Sequence, residues 1–261
     1  MAIRVDQPWG DALLARLYDA FPFSDDLPLY DRLATAGGGP VLELGCGSGR
    51  ILLPLVRSGH EVVGVDASSP MLALARSKLE AAPPDVAGRA RLVEDDVRTF
   101  DLGERFHLAI VAVKTFAYLI TRPDQQQALA SIAAHVRPGG LLALDLLNPT
   151  PEWLCRPDGS VHQDVLGKLP DGAGTVVRTE TMVRTDLAAQ VRVIRSAYEV
   201  VRNGQVTKHF VEWPFRYTYR FEAEHLLERA GFDVEAVYGG YGGESFASHS
   251  PVLLVLGRRR G

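Results

Sequence analysis

The sequence predicts an α/β protein: a doubly wound, mostly parallel sheet that carries an antiparallel β insertion. Three observations lead there. Across residues 41–148, short apolar runs alternate with segments of helical periodicity, the pattern of strands buried on both faces between covering helices. The first run, VLEL, passes directly into a turn holding Gly45, Gly47 and Gly49. Beyond Asn148-Pro149 the texture changes to longer stretches rich in Val, Thr, Arg and aromatic residues, which read as antiparallel strands and not as further βα units.

In chain order, Asp11 can cap a short amphipathic helix over residues 12–21. The stretch FPFSDDLPLY then interrupts regular structure, and a second helix leads to the GGGP turn at residues 37–40. Residues 1–40 are expected to form a helical cover. The core of residues 41–148 follows as VLEL, RILLPLVRSG, EVVGVD, PMLALARSKLEAA, RLVEDDV, FHLAIVAV, the helix QQQALASIAAHV closed by Arg137-Pro138-Gly139-Gly140, and the strand LLALDLL. Residues 149–220 are the insertion, with strands expected in GTVVRTETMVRT, AQVRVIRSAYEVV and QVTKHFVEWPFRYTYR. Asn203-Gly204 joins the last two as a two-residue hairpin. Alternation along the third stretch puts Val211, Trp213, Phe215, Tyr217 and Tyr219 on one face and Lys208, Glu212 and Arg216 on the other. Residues 221–261 supply a helix, FEAEHLLERAG, and two runs whose short connections favour an antiparallel pair at the sheet edge. The whole, residues 1–261, reads as a single domain.

Composition narrows the function. With 28 Lys+Arg against 32 Asp+Glu, the net charge of -4 offers no general attraction to nucleic acid or to anionic membranes. Cys46 and Cys155 form no CxxC pair and no His cluster has metal spacing, so neither a disulfide framework nor a metal site is expected. The N-terminus lacks a basic segment followed by an apolar core, and no apolar run is long enough to span a bilayer. A cytoplasmic protein is expected.

Glycines at the turn let the backbone approach a ligand closely. A dinucleotide fingerprint is G-x-G-x-x-G with a pyrophosphate at the helix N-terminus; the spacing here is G-x-G-x-G, and Glu43 stands just before it. That carboxylate would repel a pyrophosphate but can hold a ligand carrying an ammonium group. Asp66 ends the second strand about 20 residues beyond the first glycine, where an acid accepts from both ribose hydroxyls. The third strand ends RLVEDDV, placing Glu94, Asp95 and Asp96 where a carboxylate can accept from an adenine amino group. Adenosine with a charged amino-acid tail suits these tips better than a pyrophosphate.

At this point the chain resembles the class I S-adenosylmethionine-dependent methyltransferases. The resemblance rests on VLELGCGSGR, on VVGVDASSPMLALAR, on LVEDDVRTF, on HVRPGGLLALDLLNP and, less strongly, on the ending after Gly231. It implies a Rossmann-like, seven-stranded sheet, S-adenosylmethionine as cofactor and S-adenosylhomocysteine as product. It further implies that Glu43, Gly45 and Gly47 border the methionine moiety, Asp66 holds the ribose, Met71 packs near the adenine, and Asp96 with Val97 fixes the adenine edge. Tyr18 corresponds to an N-terminal tyrosine placed over the methyl group, and is the candidate catalytic residue. Two positions depart from the family: Asp95 stands where Gly is common, and Lys114 where small polar residues are frequent.

Methyl transfer from a sulfonium is an in-line displacement needing alignment and a shielded site more than an acid or base. No NPPY-like tip for a flipped base is present, since the fourth strand ends VKTFAY. The insertion resembles the arrangement in sugar-amine N-methyltransferases, where extra strands wall the acceptor pocket and pair subunits. The expected partner is therefore a small-molecule acceptor, methylated on nitrogen or oxygen, with a homodimer formed through the insertion. Candidate acceptor contacts are Lys114, Asn148, Trp213, Arg216 and Tyr219. Two other classes compete: a nicotinamide-dependent oxidoreductase, which should show its third glycine one residue later, and a non-catalytic S-adenosyl-cofactor-binding protein, which would lack an acceptor pocket.

Overall fold

The computed structural model of the chain describes residues 10–112, 115–169 and 171–261, with the backbone alone at 163–165. Its strands are β1 (Val41–Leu44), β2 (Val62–Asp66), β3 (Ala90–Glu94), β4 (Phe106–Val111), β5 (Val136–Leu147), β6 (Val161–Lys168), β7 (Thr175–Asp186), β8 (Val191–Arg202), β9 (Gln205–Arg216), β10 (Phe232–Tyr238) and β11 (Val252–Arg259). Its helices are α1 (Ala12–Tyr18), α2 (Leu27–Gly37), α3 (Leu52–Arg57), α4 (Ser69–Glu80), α5 (Pro84–Ala87), α6 (Arg122–His135), α7 (Pro151–Leu154) and α8 (Arg220–Arg229). No helix among the described residues is long and apolar enough to cross a membrane.

The strands form a seven-stranded sheet in the order β10-β11-β5-β4-β1-β2-β3 and a four-stranded sheet in the order β6-β7-β8-β9. In the larger sheet β3, β2, β1, β4 and β5 are parallel, and β11 and β10 return antiparallel at one side. Both faces are buried, as a parallel sheet requires. Leu42, Leu44, Val111, Leu142 and Leu144 pack on one face beside Leu129, Ile132 and Leu227. Val41, Leu108, Ile110 and Ala143 pack on the other beside Leu29, Tyr30, Leu52 and Leu55 of α2 and α3. Leu44 lies opposite both Val65 and Val111, so β1, β2 and β4 end at one level. Strand order reverses between β1 and β4, the place where open α/β sheets bind ligands.

The cover starts where expected: the Asp11 carboxylate accepts from the Leu13 and Leu14 N–H groups at 2.8 and 3.1 Å, capping α1. Leu14 and Leu17 of α1 then pack against Val176, Ile194, Val211 and Trp213 on the inner face of the smaller sheet. The outer face of that sheet exposes Val206 and Phe210, with the ion pairs Arg195–Glu212 and Lys208–Glu199 beside them. The Asn203-Gly204 hairpin forms with Arg202 opposite Gln205 and φ of 50° and 74° at the two turn residues.

Three local expectations change. A fourth strand, β6, adds to the insertion; its sequence VHQDVLGK lacks clean alternation, and it is held by pairing with β7 and by close approach of Gly167 to the cover, where a Cβ would lie 2.5 Å from the Ala20 carbonyl oxygen. Arg137-Pro138-Gly139-Gly140 is not a separate turn but the start of β5, whose pairing with β4 shifts register between Phe106 and Leu108 while Gly139 takes φ of 77°. The alternation in β9 stops at Arg216, because the Glu222 carboxylate accepts the Tyr219 N–H at 3.4 Å and turns the chain into α8.

Candidate functional site

The loop after β1 is built by backbone bonds to its neighbour. The Gly45 and Cys46 N–H groups donate to the Val65 carbonyl at 2.8 and 3.2 Å, and the Gly47 N–H donates to Asp66 Oδ2 at 2.7 Å. Gly45, Gly47 and Gly49 all adopt positive φ, at 69°, 54° and 81°. A Cβ on Gly45 would fall 2.4 Å from Thr115 Cγ2, so that glycine also lets the chain after β4 close in. Gly64 of β2 makes room in the same way for the Cys46 thiol, at 2.8 Å from a Cβ there. Burial pushes the Cys46 thiol well up, which removes it as a nucleophile.

Asp66, at the tip of β2, accepts from Gly47 and, through Oδ1, from the Ser68 N–H at 2.8 Å. Burial raises its pKa while these two N–H groups oppose the shift. Ser68 in turn caps α4 by accepting from the Met71 N–H at 3.2 Å. Met71 is buried and brings its Cε to 3.5 Å from the position of a Cβ on Gly47. Glycine turn, Asp66 and Met71 thus come together at the tips of β1 and β2.

Glu43 is only 3% exposed, and its Oε2 has no hydrogen-bond partner. Burial, and then Asp26 and Asp66 nearby, push its pKa up to about 8, against the pull of Arg50 and of the Leu52 N–H. A buried carboxylate with an orphaned oxygen is costly unless a donor reaches it. The ammonium of S-adenosylmethionine has the right charge and donors to do so, and Asp66 keeps lone pairs beyond its two backbone bonds for ribose hydroxyls. On these two observations the residues fit that cofactor.

Asp96 differs from expectation. Both of its oxygens accept from Arg98, through Nε at 2.9 and 3.0 Å and Nη2 at 2.5 Å, and Oδ1 also accepts the Arg98 N–H at 2.8 Å. Arg98 bridges onward to Asp124 at 2.9 Å and holds the Asp96 carboxyl below its ordinary range. The acceptor capacity foreseen for an adenine amino group is thus occupied by a guanidinium two residues away. Val97 is partly buried against the core.

The cover brings Tyr18 to the turn. Its hydroxyl accepts a hydrogen bond from Arg50, and burial raises its pKa. Arg50 grips the fully buried Asp26 with two bonds of 2.7 Å. Neither Arg50 nor Asp26 was singled out in the sequence, although Arg50 directly follows the last glycine. Behind them Tyr241 donates to Asp145 Oδ2 at 2.8 Å, and the buried Tyr30 hydroxyl has no partner.

The acceptor-side candidates are scattered. Lys114 lies outside the described residues. Asn148 donates through Nδ2 to the Ser250 carbonyl at 2.8 Å, bracing the loop between β10 and β11. Trp213 is buried in the insertion core with Nε1 donating to Ser196 Oγ at 2.8 Å. Arg216, placed by alternation on the outward face, instead turns in to Glu222 at 3.2 Å and to the Ile120 carbonyl at 3.4 Å. Tyr219, placed with Trp213, is 46% exposed at the start of α8. Among the described residues no cluster of His, Cys, Asp and Glu can hold a metal.

Comparison with known proteins bears on the same geometry. Residues 41–140 match the family described as a methyltransferase domain. A cypemycin N-terminal methyltransferase from a Streptomyces species is 30% identical over 85% of this chain and 84% of its own. The dTDP-3-amino-3,4,6-trideoxy-alpha-D-glucopyranose N,N-dimethyltransferase of Streptomyces venezuelae is 29% identical over 88% of this chain and 90% of its own. Among solved structures, the CcbJ methyltransferase of Streptomyces caelestis superposes with a TM-score of 0.81 at 26% identity, covering 98% of this chain and 99% of that one. An amino pentose methyltransferase of Micromonospora echinaspora, solved with S-adenosylmethionine bound, gives 0.70 at 26% identity over 94% and 96% of the two chains.

Proposed function

The chain belongs to the class I S-adenosylmethionine-dependent methyltransferases, and from that premise we propose that it methylates an amine nitrogen of a small molecule, an amino sugar or a similarly polar amine. The observation that carries the choice of nitrogen is that likeness extends over 85–88% of the chain to enzymes named an N,N-dimethyltransferase and an N-terminal methyltransferase. The same relatives speak against a nicotinamide-dependent oxidoreductase and against a protein that binds the donor without turning it over.

S-adenosylmethionine, when bound, supplies a methyl group on a sulfonium that departs as a neutral thioether. The work left to this chain is placement. Glu43 binds the ammonium end and must be ionised to do so. Asp66 takes the ribose, the turn from Gly45 to Gly47 lets the backbone lie against the donor, and Met71 gives the adenine an apolar wall. The backbone at Asp96 and Val97 borders the adenine edge, since the Asp96 carboxylate is spent on Arg98. Tyr18, carried by the cover, closes the reacting centre from water and gives the acceptor nitrogen an oxygen to orient against. On the acceptor side stand residues 115–118, Asn148 and Arg216; Lys114 lies outside the described residues. An amine arriving neutral needs no base.

The outward face of the insertion, with Val206 and Phe210 exposed on the edge strand β9, supports a homodimer through this sheet. Sedimentation velocity of wild type and Phe210→Glu tests it: a dimer reduced to monomer is expected, and a monomeric wild type would refute it.

The deciding experiment supplies labelled S-adenosylmethionine with paired acceptors, amino sugars and their hydroxyl counterparts. Product mass should rise by one or two methyl groups on the amines only. Label appearing on the hydroxyl compounds, or on neither set across a broad metabolite panel, would contradict the nitrogen assignment.

A further inference from the structure

The two polar side chains of the glycine turn, Ser48 and Arg50, do not point to the space beside Gly45 and Gly47. Both reach back to the N-terminal cover. Arg50 donates in parallel to both oxygens of Asp26 at 2.7 Å, and its Nη1 also donates to the Phe23 carbonyl at 3.0 Å. Its guanidinium lies 5.3 Å from the centre of the Phe23 ring and donates to the Tyr18 hydroxyl. Ser48 Oγ donates to Asp19 Oδ1 at 2.6 Å, while Lys78 of α4 joins Asp19 Oδ2 at 2.7 Å and the Ser48 carbonyl at 2.9 Å. Polar anchors of Tyr18, Asp19, Phe23 and Asp26 therefore end on the donor turn or on the helix beside it.

We propose that Arg50 is a positioning residue for methyl transfer: fixed by Asp26, it holds Tyr18 and the cover formed by residues 11–26 against the donor turn, with Ser48, Asp19 and Lys78 as a second fastening. Burial makes the fastening strong and specific. Asp26 is fully buried and Arg50 mostly so, and a bidentate guanidinium–carboxylate fork fixes orientation as well as distance. Apolar contact of Leu14 and Leu17 with the smaller sheet is non-directional and does not by itself fix α1 along it. The fork removes that freedom at the end of α1 that carries Tyr18. It also ties two events together: whatever orders the glycine turn orders the cover. Donor occupancy and closure of the reacting centre then become one step. The proposal deepens the methyl-transfer reading, since Tyr18 matters to the reaction only if the donor occupies this turn.

Hydrogen–deuterium exchange of the full chain, with and without S-adenosylhomocysteine, separates this from a purely structural role. Without ligand, Arg50→Met should speed exchange across residues 12–21 by about tenfold or more and leave β1 and β4 within about twofold of wild type. Arg50→Lys, which reaches Asp26 but cannot form the fork, should fall between. With ligand, wild type should slow in the same residues and Arg50→Met should not. If Arg50→Met does not fold, Asp26→Asn serves the same readout. Unchanged cover exchange, or equal acceleration in the cover and in β1 and β4, would overturn the role. So would a wild-type cover that S-adenosylhomocysteine leaves unslowed; if that compound also fails to bind, the fault lies in the donor reading itself.

Discussion

The donor side and the insertion solve the problem of charge in opposite ways. Around the glycine turn the ionisable groups are few and withdrawn from water: Glu43 and Asp26, both buried, and the partly buried Asp66 stand about one guanidinium, Arg50. On the insertion they are many and half exposed, paired across strands as Arg195–Glu212 and Lys208–Glu199. Surface pairs of that kind are screened and weak, whereas each buried group carries a desolvation cost that only a partner offsets. The donor side therefore gains by binding a cation, and the insertion gains nothing from its charges beyond solubility. Its stability comes from packing.

Four changes probe that contrast, in falling order of effect. Trp213→Ala removes a buried ring and its hydrogen bond to Ser196, and should cost about 3–4 kcal/mol in chemical unfolding while leaving S-adenosylhomocysteine affinity within about twofold. An affinity loss as large as the stability loss would show the two regions to be one unit.

Asp66→Ala should act the other way. Calorimetry should show roughly hundredfold weaker S-adenosylhomocysteine binding, with the melting temperature lowered by only a few degrees, about 3–5 °C. Unchanged affinity would remove the ribose assignment.

Glu43→Gln tests the buried charge through pH. A carboxyl whose folded pKa is raised to about 8 by burial binds more protons folded than unfolded. Its stabilising effect is complete below the unfolded value and is lost as pH rises through the folded value. Melting scans should therefore show Glu43→Gln equal to wild type near pH 5 and about 4 °C more stable near pH 8. No growth of that gap with pH would mean that Glu43 is ionised throughout. Smallest of all, Arg195→Ala should move the melting temperature by less than about 1 °C.

Much of this was readable from the chain before any coordinates. The VLEL run, the glycine spacing and the EVVGVD ending are local signals, and they place Glu43, Gly47 and Asp66 where the fold brings them together. The Asn203-Gly204 turn was legible for the same reason. What escaped was non-local or depended on side-chain competition. Asp26 and Arg50 are 24 residues apart and meet only because α2 packs beside the turn. Arg98 forks onto Asp96 from two residues away, and strand position alone does not show that. Tyr219 left its expected face because a helix start overrides strand alternation, and β6 exists through pairing with β7 and not through a pattern of its own.

The central claim is that a buried, orphaned carboxylate beside a glycine turn awaits the ammonium of an S-adenosyl ligand. Calorimetric titration of the wild type with S-adenosylhomocysteine at pH 7, in buffers of differing ionisation enthalpy, tests it directly. Binding with release of close to one proton is the expected result, since Glu43 must ionise, and NAD should give no heat. Absence of binding at millimolar ligand would contradict the donor site, and binding without proton release would contradict the part assigned to Glu43.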